Sequence, residues 1–224
     1  MTPAWCHQRD EGPPADLHRR SAGAVAAPTR RTVRELVPTG TAVVLGSAQR
    51  PSDVDAGRVA GRGWTVARRR SGGAAVLVGP GQCRWVDVVV PAGDPLWEPD
   101  VGLGALWVGR AWVSALATAG LEAEVWNGPM RASPWSRLVC FAGLAPGEVT
   151  VEGRKVVGVA QRRTRAGTLL QCALLERWAP AELLDVLALD PGARSTGAGD
   201  LAEAAMGVGD AAGTIVDALL AELP

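Results

Sequence analysis

The chain has one lysine, Lys155, among 23 basic residues, so every other cation is an arginine. The two cations do different chemistry. Lysine is a compact ammonium on a flexible stem, and arginine is a bulky planar fork. A lysine kept in so arginine-rich a chain suits a tight pocket around a carboxyl or phosphoryl group. The alternative is an ordinary solvated charge. Lys155 follows the turn Glu152-Gly153 and opens the apolar run Val156-Val157-Gly158-Val159-Ala160. An ammonium beside a half-buried surface acts strongly, because screening there is weak. Gln161, Arg162 and Arg163 add donors at the far end of the run.

Two other segments carry reactive types. In Arg68-Arg69-Arg70-Ser71-Gly72-Gly73, the glycines let the backbone approach a ligand and offer free N–H groups. The arginines supply charge for a carboxylate or phosphate. An exposed turn beside a basic strand end is the plainer reading. Cys140-Phe141 lies 15 residues before Lys155. A cysteine beside a cation favours the thiolate, the form that attacks carbonyls. A buried structural thiol is the alternative.

The elements that must position these groups are mixed β and α. Thr41–Leu45 reads as a buried strand ending at Gly46, and Asp53 as the cap of a short helix through Val59. Trp64–Arg69 reads as a strand. Ala74–Val78 and Arg84–Val90 read as a hairpin turning at Gly79-Pro80-Gly81. Asp100–Thr118 has helical length, with Gly120 past its end. Leu121–Trp126, Leu138–Phe141, Glu148–Val151, Lys155–Ala160 and Thr168–Leu175 read as strands, and Asn127–Ser136 as a loop. Pro180 opens a helix over Ala181–Leu187. Asp190–Gly199 reads as a Gly/Asp/Ser-rich gap, and the last 25 residues as mostly helical. In the N-terminal stretch, Asp16–Ala27 has a helical pattern.

Composition bounds the function. The 224 residues fit one large α/β domain, alone or with a small appendage, and 47% hydrophobic content gives it a core. The division expected is a polar N-terminal segment (1–31), a catalytic domain (32–178) and a helical C-terminal segment (179–224). The 23 basic and 23 acidic residues balance, which argues against a general nucleic-acid binder. Met1 to Pro14 is polar, unlike a signal peptide. Val101–Ala119 is broken by Arg110, so it reads as a buried helix and not a membrane span. Cys6, Cys83, Cys140 and Cys172 show no CxxC spacing, which points to free thiols in a reducing cytoplasm and to no protein-built metal site.

Together these segments resemble the lipoate–protein ligase and octanoyltransferase family, which shares a catalytic domain with biotin–protein ligases. The family's RRxSGGGAV segment is matched by Arg68 to Val76, with Ala74 in place of the third glycine. Its GRKIxGxAQRR segment is matched by Gly153 to Arg163, including Gly158, Ala160 and Gln161. Gly46 and Gln49 resemble its earlier G-x-x-Q turn. Trp85-Val86-Asp87, Pro95-Leu96-Trp97 and Trp135 to Val149 resemble an actinobacterial-type branch. The resemblance spans about Thr41 to Leu175. It implies a mixed α/β (α+β) domain with an acyl-chain pocket. Lys155 would contact the acyl carbonyl and adjacent phosphate. Arg69, Ser71, Gly72 and Gly73 would line the chain and its carboxyl end.

Departures are visible. Val78 and Cys172-Ala173 stand where the family has a histidine and a His-Gly pair, and both histidines of this chain, His7 and His18, lie near its start. Ala74 adds a methyl where the backbone would approach the ligand. A biotin ligase is the poorer match, since Gly61-Arg62-Gly63-Trp64 only half fits that group's loop. The resemblance implies three readings. A ligase would use ATP with Mg2+ to activate lipoate or octanoate and then acylate a lysine. Its carrier would be a lipoyl domain or a glycine cleavage H-type protein. A cofactor-free octanoyltransferase would pass octanoyl from acyl carrier protein through Cys140. A non-catalytic homologue would bind the acid without turnover.

Overall fold

The computed structural model describes residues 4–224. Its strands are β1 (Cys6–Gly12), β2 (Thr32–Pro38), β3 (Ala42–Leu45), β4 (Thr65–Arg68), β5 (Val76–Val78), β6 (Cys83–Pro91), β7 (Ala123–Val125), β8 (Val149–Val151), β9 (Arg154–Arg163) and β10 (Gly167–Leu175). Its α-helices are α1 (Pro14–Ala24), α2 (Ala56–Gly61), α3 (Leu106–Ala117), α4 (Pro180–Val186), α5 (Pro191–Asp200) and α6 (Ala212–Glu222). Seven strands form a mixed sheet in the order β1-β2-β6-β10-β9-β8-β7, and three form a small sheet in the order β4-β3-β5. This is the mixed α/β fold expected from the sequence.

The central strands β6 and β10 pair antiparallel, with Asp87 opposite Gln171 and Trp85 opposite Ala173. Successive side chains on a strand point to opposite faces. Val86, Val88, Leu170, Cys172 and Leu174 therefore pack with Trp112 and Leu116 of α3 and Ile215 of α6. Trp85 packs on the other face, with Leu17 of α1 and with Val44, Val76 and Val78 of the small sheet. The small sheet buries Val43, Leu45 and Leu77 against Leu183 and Leu184 of α4. The two sheets face each other, and the reactive segments meet between them.

Several expectations need correcting. Ala74–Val78 and Arg84–Val90 are not a hairpin: β5 pairs with β3, while β6 pairs with β2 and β10. Gly79-Pro80-Gly81 turns the chain from one sheet into the other. Both runs are buried on both faces, so alternation gave no sign of different partners. Leu138–Phe141 is not a strand. Val139 makes one isolated bridge to Ala75, and Cys140–Ala142 is a 3-10 turn. Asp190–Gly199 is not a gap but most of α5, capped by the Asp190 carboxylate accepting from Ala193 N. The polar start is also built into the fold. Cys6–Gly12 runs parallel to β2 as an edge strand, where mostly exposed polar residues are tolerated. No helix among the described residues is long and apolar enough to cross a membrane.

Candidate functional site

A cleft opens between the two sheets. Val44, Val76 and Val78 line it from the small sheet, and Cys83 and Trp85 from β6. Cys140 and Phe141 of the 3-10 turn, and Gly158 and Ala160 of β9, complete the wall. Along it Trp85, Cys83 and Val78 are buried, while Cys140, Ala160 and Ala173 of β10 are half-exposed.

Arg69 organises the glycine loop. Its side chain is 5% exposed, its Nε donates to Gly72 O at 3.0 Å and its Nη2 to Ala74 O at 2.8 Å. The same Nη2 lies 3.6 Å from Cys140 Sγ. The loop can wrap so closely because Gly73 has φ 94° and no side chain, and a Cβ there would meet Arg69 Nη2 at 2.5 Å. Gly46 is tighter still, since its Cβ would fall 1.8 Å from Gly73 O. Gln49 braces this corner by accepting from Gly46 N and donating to Leu138 O. Ser71 Oγ donates to Gln171 Oε1 at 2.5 Å, and Gln171 Nε2 donates to Ser21 Oγ at 2.8 Å. Below them Asp87 is fully buried and accepts from Trp85 Nε1 at 2.7 Å. Burial pushes the Asp87 carboxyl up to about 6, against the opposing pull of Ser21, Trp85 and Arg34.

Lys155 is buried, at 3% exposure, behind the turn that carries Cys140. The pairing of β8 with β9 shifts register beside Thr150, Lys155's partner, an irregularity of the kind that re-aims a side chain. The Lys155 Nζ lies 2.7 Å from Glu148 Oε2 and donates to Cys140 O and Gly143 O, both at 3.1 Å. It also sits 4.7 Å from the Phe141 ring centroid. An ammonium has three donors, and all three are engaged. Gly158 makes room here, because a Cβ at that position would stand 3.1 Å from Phe141 Cζ and 3.3 Å from Lys155 Cε. The lysine backbone is held by the C-terminal segment: Lys155 N donates to Ala204 O, and Met206 N donates to Lys155 O.

The structure brings Arg69, Val76, Cys140, Gly158 and Ala160 to the cleft wall. Ser71, Gly46 and Gln49 support the wall from behind. Gly72 and Gly73 are exposed on the loop, and so are the flanking Arg68 and Arg70. Arg68 donates to Ser47 O. Ala74 is buried and turns its carbonyl to Arg69, and it does not line the cleft. Gln161 is placed against Gly104, away from the cleft. Of the departures, Val78 and Cys172 both line the cleft, although Cys172 also belongs to the core cluster of Trp112.

Two residues were not singled out from the sequence. Glu148 holds Lys155, and its carboxylate also accepts from Ala145 N and Val159 N. A Glu at a strand start carries no local signal. His18 reaches the cleft from α1 and stacks on Trp85, with centroids 4.1 Å apart. Its place on one face of a polar helix was readable, but its destination was not.

The whole chain overlays on solved structures of low sequence identity. A bipartite lipoate protein ligase from Thermoplasma acidophilum, solved with its E2 lipoyl domain under study, aligns with TM-score 0.77 at 18% identity, over 99% of this chain and 82% of the other. A putative lipoate protein ligase from T. acidophilum with bound lipoic acid aligns with TM-score 0.70 at 17% identity, over 99% and 84%. A lipoate-protein ligase A bound with ATP aligns with TM-score 0.67 at 18% identity, over 98% and 83%. Among curated proteins, none matches the chain. The family model for the lipoyl protein ligase A/B catalytic domain matches residues 21–208, so the chain belongs to that family.

Proposed function

We propose that this protein attaches a lipoyl or octanoyl group to a lysine of a carrier domain, through an acyl-adenylate. One observation carries the reading. Arg69 and Cys140 line an apolar cleft, and the ammonium of Lys155 lies behind that wall, on the Cys140 carbonyl. Acyl transfer builds negative charge on the carbonyl oxygen, and a fixed ammonium in a dry site stabilises it. With its three donors engaged, Lys155 must release Cys140 O or Gly143 O to take up an acyl oxygen.

The rim suits an anionic nucleotide. Gly72 and Gly73 are exposed, Gly72 has open space around it, and Arg68 and Arg70 flank them with positive charge. ATP would bring the activating phosphate and its Mg2+ to this rim. The carrier would be a lipoyl domain or a glycine cleavage H-type protein, in a cytoplasm that suits four free cysteines.

A cofactor-free transferase is the second reading. It is favoured by Cys140 Sγ, which stands on the cleft wall 3.6 Å from the Arg69 guanidinium. There the octanoyl group would leave an acyl carrier protein thiol for Cys140 Sγ and then pass to the carrier amine. The deciding experiment is the intact mass of a lipoyl domain after incubation with this protein. One tube holds ATP and free lipoate or octanoate, and the other holds octanoyl-acyl carrier protein. A mass gain in the first tube supports the ligase, and a gain only in the second supports the transferase. No gain in either leaves a binding protein without turnover.

A further inference from the structure

Polar side chains on the cleft wall are matched, with one exception. Arg69 is held by two carbonyls, and Trp85 Nε1 donates to Asp87. The Gln171 amide bridges Ser71 and Ser21, and the Cys83 thiol meets Leu77 O. His18 is different. It is 7% exposed, and neither Nδ1 nor Nε2 has a hydrogen-bond partner. Burial, helped by the Arg69 charge, holds its pKa down at about 3, so the ring is neutral. A neutral imidazole offers one N–H and one lone pair. Leaving both unmet in an apolar site is costly, and a leucine or phenylalanine would fill the space without that cost.

The position of the ring says what would meet it. His18 lies on Trp85 of β6, two strands along the sheet from β9, whose Lys155 stands behind the turn that carries Cys140. A ligand whose carboxyl end is beside Cys140 and Lys155 therefore presents the body or tail of its chain to His18. We propose that His18 is a specificity-determining residue. It reads a hydrogen-bonding sulfur or oxygen on the chain of the acyl group, so the cleft prefers a heteroatom-bearing chain, lipoate among them, over a plain hydrocarbon chain. This rests on the acyl-binding reading above and narrows its substrate class.

The test is calorimetric binding of lipoate, 8-hydroxyoctanoate and octanoate to the full chain, as wild type, His18→Phe and His18→Leu. One hydrogen bond recovered from an unmatched buried group is worth about tenfold in affinity. Wild type is expected to bind the better heteroatom-bearing acid about tenfold tighter than octanoate, and both variants to lose most of that ratio. Equal affinities in wild type, or a ratio unchanged in the variants, overturns the proposal. A second measurement does not depend on the variants folding. The 15N shifts of the His18 ring in wild type should move with a heteroatom-bearing acid and stay with octanoate. Movement with neither class overturns the proposal while leaving acyl binding intact. If no acid binds wild type at all, the acyl-binding reading falls, and this inference with it.

Discussion

Glu148 Oε2 lies 2.7 Å from Lys155 Nζ, and neither side chain is more than 6% exposed. The same carboxylate accepts from Ala145 N and Val159 N. One acid thus fixes the ammonium, the loop before β8 and the middle of β9. Two paired charges in a dry site depend on each other, because either alone would be a bare buried ion.

Lys155→Met should therefore destabilise the protein by about 3–5 kcal/mol, by stranding the Glu148 charge. Adding Glu148→Gln should recover part of that loss without restoring acyl transfer. Urea unfolding of wild type, the single variant and the double variant measures this cycle. A double variant no more stable than Lys155→Met would show that the pair is not coupled.

Lys155→Arg keeps the charge but brings a planar fork into a site built from one carboxylate and two carbonyls. The fold should survive. Turnover should fall by about 10²-fold or more, the usual cost of losing a donor aimed at the developing charge. Steady-state assays on a lipoyl domain, with circular dichroism as the fold control, read both effects.

Cys140→Ala separates the two routes of transfer. If acyl groups travel through an adenylate, the variant should keep most of its ATP-dependent activity with free acid. A covalent route predicts complete loss with octanoyl-acyl carrier protein, together with a thioester on wild-type Cys140 that iodoacetamide pretreatment prevents. Peptide mass spectrometry would locate that adduct.

Two buried groups give opposite slopes to stability against pH. His18 has a folded pKa of about 3, below its ordinary 6.5, because burial and Arg69 disfavour the cation. The unfolded chain binds that proton first, so stability falls as pH drops below 6.5. Asp87 has a folded pKa of about 6, above its ordinary 3.8, because burial disfavours the carboxylate. Here the folded chain binds the proton first, so stability rises as pH drops through 6. Wild type should show partial cancellation over the shared window. His18→Phe should leave a protein that gains stability on mild acidification, and Asp87→Asn one that loses it more steeply. Denaturant midpoints across that range test both signs.

Gly46→Ala should cost about 1–3 kcal/mol and slacken the Arg69 loop, since the new methyl has only Gly73 backbone to displace. Thermal melts and acid binding should both weaken. Gly213→Ala in α6, which meets nothing within 4 Å and lies outside the cleft wall, is the matched control.

Much of this was legible in the chain. The sequence marked the solitary lysine, the SGG loop and Cys140 as separate reactive segments, and the fold brings them together, with Arg69 Nη2 3.6 Å from Cys140 Sγ and Lys155 Nζ on Cys140 O. The central strands β6, β9 and β10 were visible as apolar runs. What sequence could not carry was partnership at a distance. Whether Val76–Val78 joins the sheet of β6 or another is decided by packing, not by its residues. Strand β1 is mostly exposed polar side chains at a sheet edge, so no apolar period announces it. Glu148 and His18 matter only through what stands opposite them after folding. The Asp190-Pro191 start of α5 was readable as a cap, but its glycines outweighed it.

The backbone of Lys155 is closed by Ala204 and Met206, and the cleft wall is tied to Ser21 across 150 residues of sequence. Such contacts cannot form on the ribosome until Gln171 and Met206 have emerged. Until those segments are made, the apolar residues of the cleft wall lack part of their cover, in the interval when partly made chains are most prone to aggregate. Any acid that binds the cleft would then reward completion, acting on the nascent protein as a folding ligand as well as a substrate.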